Sequence, residues 1–116
     1  MIFLLRCVII TVTVIFLEDI DMYNIFVIFK CIEGKREAFV ERVKAEGILD
    51  MIRGEDGCIR YDYYYSDSDA SEILLIEAWE TKEKQRIHIE QPHMAALRAL
   101  KPEYILDTKL VEYDLK

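Results

Sequence analysis

The stretch EILLIEAW, residues 72–79, limits what this chain can fold into more than any other, because it is apolar at both parities: Ile73 and Leu75 alternate with Leu74 and Ile76. Side chains along a strand point to opposite faces in turn, so such a strand needs cover on both sides and belongs inside a sheet. YNIFVIFKC, residues 23–31, has the same aromatic and β-branched character and ends at the turn signal Glu33-Gly34. After Gly57, CIRYDYYY places Ile59, Tyr61, Tyr63 and Tyr65 on one face, with Arg60, Asp62 and Tyr64 on the other. The polar run SDSDAS, residues 66–71, then serves as the turn of a hairpin with the strand that follows. ILDTKLVEYDL, from residue 105, is the last strand.

Between strands the period changes. In KREAFVERVKAEGILDMIR, residues 35–53, apolar Phe39, Val40, Val43, Ile48, Met51 and Ile52 recur at helical spacing, which predicts one amphipathic helix closed by Gly54. Thr81 is placed to cap a second helix from Lys82, with Glu83 in its first turn; Pro92 breaks that helix and starts another that runs to Pro102. The element order is βαββαβ. Two helices cover one face of a four-stranded antiparallel sheet. The other face, roughly several hundred Å² of apolar and aromatic surface, is too large for a monomer to leave wet. A second copy packed sheet against sheet is the expected cover, so the chain is read as a homodimer.

A length of 116 residues, 53% of them hydrophobic, fits one domain. Fifteen Lys and Arg against 22 Asp and Glu leave a net charge of -7, which disfavours nucleic acid and anionic membrane surfaces as partners. Cys7, Cys31 and Cys58 are odd in number and form no Cys-x-x-Cys, as befits free thiols in a reducing, cytoplasmic compartment. The first 17 residues, MIFLLRCVIITVTVIFL, are nearly all apolar, but Arg6 interrupts them and acidic residues follow. Three readings of residues 1–21 stay open: upstream sequence from an early start codon, an extra strand, or a membrane anchor. Residues 22–116 form the domain in each.

Three local patterns bear on function: Glu55-x-Gly57-Cys58-x-x-Tyr61-Asp62, then Glu77-Ala78-Trp79, then HIEQPHM at residues 88–94. Their order and spacing resemble the antibiotic biosynthesis monooxygenase (ABM) domain, a ferredoxin-like α+β fold that pairs into a dimeric α/β barrel. The resemblance runs from Met22 to about Leu115. It implies a quinol or polyketide-anthrone monooxygenase that works without metal or flavin, although one branch isomerises a phosphorylated autoinducer and many members have no assigned substrate. A haem-degrading branch of the superfamily uses an Asn, Trp and His triad. That triad is not matched here: Asn24 sits too early, His88 occupies the place of the tryptophan, and Arg98 stands where a histidine is needed.

Oxygenation without a cofactor needs a substrate that, once deprotonated, can itself give an electron to O2, as a hydroquinone, anthrone or enol does. The protein then supplies a base and a dry pocket. Histidine suits the base, since its unperturbed pKa is about 6.5. In one continuous helix His88 and His93 would stand about 140° apart, whereas a break at Pro92 lets both face one cleft. The resemblance places His93 at the family's Pro-His position. Glu77 shares a strand face with Trp79, Ile73 and Leu75, where a buried carboxyl could hold a proton; the plain alternative is a structural hydrogen bond. Tyr61, Tyr63, Trp79 and Met94 are the candidates to line a flat substrate, with core or interface packing as the alternative. A metal site is disfavoured because the histidines are five apart with no cysteine nearby. The expectation is therefore catalytic His93, His88 and Glu77, no metal and no cofactor, acting on a small quinol-like or enolisable aromatic compound. The rivals are an isomerase of a small phosphorylated carbonyl compound and a non-catalytic dimeric ligand-binding module.

Overall fold

The computed structural model describes residues 22–113. Strand β1 (Tyr23–Cys31) is followed by helices α1 (Arg36–Ala45) and α2 (Ile48–Arg53), then by strands β2 (Cys58–Tyr65) and β3 (Glu72–Trp79). Helices α3 (Lys82–Ile89) and α4 (Pro92–Leu100), a short 3-10 turn (Lys101–Glu103) and strand β4 (Ile105–Tyr113) complete the order. The strands lie β2-β3-β1-β4, antiparallel throughout, which is the ferredoxin-like arrangement expected. Residues 1–21, on which the readings of an extra strand, an anchor or dispensable upstream sequence depend, lie outside the described residues. Among the described residues no helix is long and apolar enough to cross a membrane.

The doubly apolar strand β3 occupies an inner position, between β2 and β1, as its two-sided sequence requires. Ile25, Val27 and Phe29 of β1 and Ile73, Leu75 and Trp79 of β3 face the helices and join Phe39, Val43, Ile52 and Leu97 in the core. Each such aliphatic or aromatic side chain stabilises the fold by about 1.5–3 kcal/mol relative to exposure. The alternate residues Phe26, Ile28, Leu74 and Ile76 point away from that core and are half-buried, while Tyr64 and Val111 on the same face are exposed.

Two local expectations are corrected. The single helix expected over residues 35–53 is two, because Gly47 adopts φ 76, a left-handed conformation that ends α1. Its N–H bonds to the Lys44 carbonyl at 3.0 Å while its own carbonyl accepts from Met51 N–H at 3.1 Å, so one residue closes a helix and opens the next. The turn buries Leu49 and leaves Met51 47% exposed, the reverse of the periodic reading. In β2 a register shift between Cys58 and Arg60 bulges out Ile59, so that Cys58, not Ile59, shares the helix-side face with Tyr61 and Tyr63.

The acidic hairpin turn is clamped from α1. The guanidinium of Arg36 donates to the carbonyls of Ser66 and Asp69 at 3.1 and 3.0 Å and stacks on Tyr65 at 4.3 Å. Lys30 pairs with Asp69 from the neighbouring strand.

Candidate active site

The site assembles where β2, β3 and the broken second helix meet, on the helix-covered side of the sheet. Thr81 caps α3 as its sequence predicts, its hydroxyl accepting from Lys84 N–H at 3.1 Å. The helix ends after Ile89, Gln91 turns out to extended backbone, and Pro92 opens α4. His88 lies in the last turn of one helix and His93 in the first turn of the next. The break swings both imidazoles onto one carboxylate, that of Glu55.

Glu55 Oε2 is 2.9 Å from His88 Nδ1 and 2.6 Å from His93 Nε2, and Glu55 Oε1 is 3.1 Å from His88 Nδ1. Exposures of 10% for Glu55, 2% for His88 and 12% for His93 place the trio largely out of water. A carboxylate only accepts, so both ring nitrogens facing it carry hydrogens. That leaves His88 Nε2 and His93 Nδ1 as the ring nitrogens not engaged by Glu55.

Glu55 opens the pattern Glu55-x-Gly57-Cys58-x-x-Tyr61-Asp62, but nothing local in the sequence supplies its carboxylate with a partner. Its burial is produced by the loop that carries it. Glu55 N–H bonds to the Ile52 carbonyl and Cys58 N–H to the Glu55 carbonyl, while the Gly57 carbonyl accepts from Glu80 N–H at 2.8 Å. Gly57 holds φ 91 against the Lys84 side chain, so the loop is pressed onto the start of α3. Asp56 pairs with Lys84 across the same seam.

Behind His88 the second half of the site begins. Trp79, fully buried, stacks on His88 with centroids 4.5 Å apart, and Tyr61 meets the same ring edge-on at 5.7 Å. The Trp79 indole N–H donates to Glu77 Oε1 at 2.9 Å. Glu77 stands opposite Tyr61 on the neighbouring strand, and Tyr61 is in edge contact with Tyr63 at 6.0 Å. The expected residues His88, His93, Glu77, Trp79, Tyr61 and Tyr63 therefore lie together. Met94 is buried on α4 within the core and contributes packing there.

Electrostatics differ between the two halves. Burial pushes the Glu77 carboxyl up to about 7, against the opposing pull of the Trp79 N–H and the nearby Lys101 ammonium. Burial lowers the His88 imidazole below its ordinary 6.5, with Glu55 opposing. Burial also holds the Tyr61 and Tyr63 phenols well above their ordinary 10 and the Cys58 thiol up at about 11, so these groups keep their protons at neutral pH. Near pH 7 the arrangement thus offers a neutral imidazole as proton acceptor and a carboxyl poised to give or take a proton. A thiolate nucleophile is not on offer. Among the described residues no three His, Cys, Asp or Glu side chains are arranged to hold a metal ion; the Glu55 oxygens are engaged by the two imidazoles.

Comparison with known proteins supplies a family. Residues 22–100 match the sequence profile described as antibiotic biosynthesis monooxygenase. The fold is similar to that of a candidate antibiotic biosynthesis monooxygenase from Nitrosomonas europaea, with 26% identity and a TM-score of 0.74 over 82% of this chain and 90% of that one. A conserved protein from Methanosarcina mazei aligns with a TM-score of 0.75 and 18% identity over 87% of this chain and 99% of the other. A protein from Mycobacterium tuberculosis does so at 0.69 and 23%, over 82% and 95%. None of the curated proteins matches the chain.

Proposed function

The chain belongs to the antibiotic biosynthesis monooxygenase family, and on that premise we propose that it is a cofactor-independent monooxygenase of a small quinol-like or enolisable aromatic compound. The observation that carries the reading is the buried carboxylate of Glu55 shared by His88 Nδ1 and His93 Nε2. A solvated surface histidine needs no such partner. A base that must present one chosen nitrogen does.

In this reading an imidazole removes the proton of the substrate's acidic C–H or O–H, and Glu55 steadies the imidazolium that results. The carbanion or enolate then gives one electron to O2, and the radical pair combines to a hydroperoxide. Loss of water converts a CH2 into C=O. One oxygen atom enters the product and the other leaves as water, so the substrate supplies every electron. Glu77, protonated to about pH 7 by burial, is placed to hand a proton to the departing oxygen. Tyr61, Tyr63 and Trp79 supply aromatic surface beside these groups. The working unit is a homodimer whose sheets meet through the face carrying Tyr64 and Val111, both exposed in the single chain.

The test is O2 consumption by the protein with a panel of reduced quinones and anthrones under metal-free conditions. His93→Ala and His88→Ala should each lower turnover by about 10²–10⁴-fold, the range for a lost general base. No uptake with any member, together with ligand binding indifferent to His93→Ala, sinks the enzymatic reading. Exchange of a substrate C–H with solvent deuterium in the absence of O2 uptake would instead identify the isomerase.

A further inference from the structure

Asp56-Gly57 is the one Asp-Gly step in the sequence, and it lies in the turn that delivers Glu55 to the two imidazoles. Residues 55–58 form that turn, closed by Cys58 N–H on the Glu55 carbonyl at 3.1 Å. Gly57 sits at φ 91 while Asp56 has no positive φ, the pattern of a type II turn. The Asp56 side chain is 82% exposed, and among the described residues its carboxylate meets only Lys84, in a surface ion pair of the weak kind. The next backbone group, Gly57 N–H, makes no hydrogen bond among the described residues, and glycine has no side chain to shield it. Other aspartates before small residues are better guarded. Ser68 N–H, which follows Asp67, donates to Ser66 Oγ at 3.2 Å, and the Asp69 carboxylate is held by Lys30 and by Ser71 N–H at 2.9 Å.

We propose that Asp56-Gly57 is a site of spontaneous isomerisation, at which Asp56 becomes an isoaspartyl residue and the Glu55 trio is taken apart. Gly57 N bonds to Asp56 Cγ, the hydroxyl of the protonated carboxyl leaves with the amide hydrogen as water, and a five-membered cyclic imide results. Water then reopens the ring. Cleavage of the Cγ–N bond restores Asp56, whereas cleavage of the bond from the backbone carbonyl to N leaves the chain running through Cβ and Cγ. One water is lost and one regained, and nothing is oxidised or reduced. Ring closure requires the Asp56 peptide to rotate out of the turn, so it proceeds in local openings that the Lys84 pair opposes. The isomer lengthens the turn by one backbone carbon. So lengthened, the turn cannot keep both the Cys58 bond to the Glu55 carbonyl and the Glu80 N–H bond to the Gly57 carbonyl at 2.8 Å. Gly57 is pressed against Lys84, so the strain falls on Glu55, which withdraws from His88 Nδ1 and His93 Nε2. This outcome concerns the trio itself and is the same whatever substrate the chain acts on.

The full chain is aged in warm, mildly acidic buffer, and its digest is offered, beside that of a fresh sample, to a protein-isoaspartate methyltransferase with a labelled methyl donor. Label should accumulate on the peptide that holds residue 56, at least about tenfold above any other peptide. In the aged protein before digestion, the ring nitrogen NMR signals of His88 and His93 should change in the same fraction of molecules that carries label. Asp56→Glu keeps a carboxylate for Lys84 but would need a six-membered imide; it should cut the label by at least about tenfold and leave the imidazole signals constant through ageing. Lys84→Gln should speed labelling by about twofold to fivefold, the range a surface ion pair withholds. Label spread evenly over several aspartyl peptides, equal ageing of Asp56→Glu, or isoaspartate at residue 56 with unchanged imidazole signals overturns the proposal. The first and last of these are read on the unaltered protein, so they do not depend on any variant folding.

Discussion

Replacing Glu77 by glutamine should remove the part of the fold's pH dependence that this one carboxyl imposes between about pH 4.5 and 7. Burial raises this carboxyl from its ordinary 4.5 to about 7. In that window the folded chain keeps a proton that the unfolded chain has released. Each step up in pH therefore penalises the folded state. The contribution is fully present below about pH 4.5 and is lost as pH rises through about 7. A gap of about 2.5 pH at about 1.4 kcal/mol per pH amounts to about 3–4 kcal/mol, a large share of the 5–15 kcal/mol typical of a domain. Glutamine stays neutral, and its amide oxygen can still accept the Trp79 indole N–H that Glu77 takes at 2.9 Å. Urea unfolding of both proteins at one fixed concentration, from about pH 4.5 to about pH 8, measures the effect. Other groups titrate in both proteins, His88 among them, so the difference between the two stabilities isolates position 77. That difference should shift by about 3–4 kcal/mol in favour of glutamine as pH rises. A flat difference would show that folding places no proton on Glu77, and its part as proton donor would go with it.

Three further outcomes can be checked independently. Glu55→Gln removes the carboxylate that opposes the burial effect on His88, so the His88 ring should titrate at still lower pH; histidine ring nitrogen NMR would show this, and an unchanged titration would mean that the 2.9 Å contact carries no charge interaction. Gly57→Ala forces a Cβ to 2.6 Å from Lys84 Cγ at φ 91, so it should cost about 1–3 kcal/mol and loosen the Glu55 loop, read as a lower urea midpoint together with weaker protection of the Glu80 amide. Arg36→Met strips the hairpin turn of its donor to Ser66 and Asp69 and should lower stability by about 1–3 kcal/mol. Hydrogen exchange should then quicken at the Ser66 and Glu72 amides while β1 stays protected; no local change would reduce Arg36 to a surface residue.

The legible and illegible parts of this protein divide by the range of the forces involved. Strand and helix existence, the inner place of β3, the Thr81 cap and the Pro92 break follow from alternation, two-sided apolarity and backbone chemistry acting over a few residues, and they could be read directly. The split at Gly47 was missed because apolar residues continue at helical spacing on both sides of it, and periodicity does not reveal a left-handed residue. The bulge that swaps Cys58 for Ile59 was missed because it depends on how two strands pair. Among site residues, the nearness of His88 and His93 is written in the chain, and so is the pairing of Glu77 with Trp79. The carboxylate that unites the histidines comes from a loop 33 residues before His88, and the ammonium that complements Glu77 comes from the far end of α4. Local sequence thus determined which groups exist and which elements carry them. Tertiary structure alone decided which groups meet out of water, because burial and charge proximity are properties of packed surfaces distant along the chain, and those two quantities set the protonation on which any chemistry here depends.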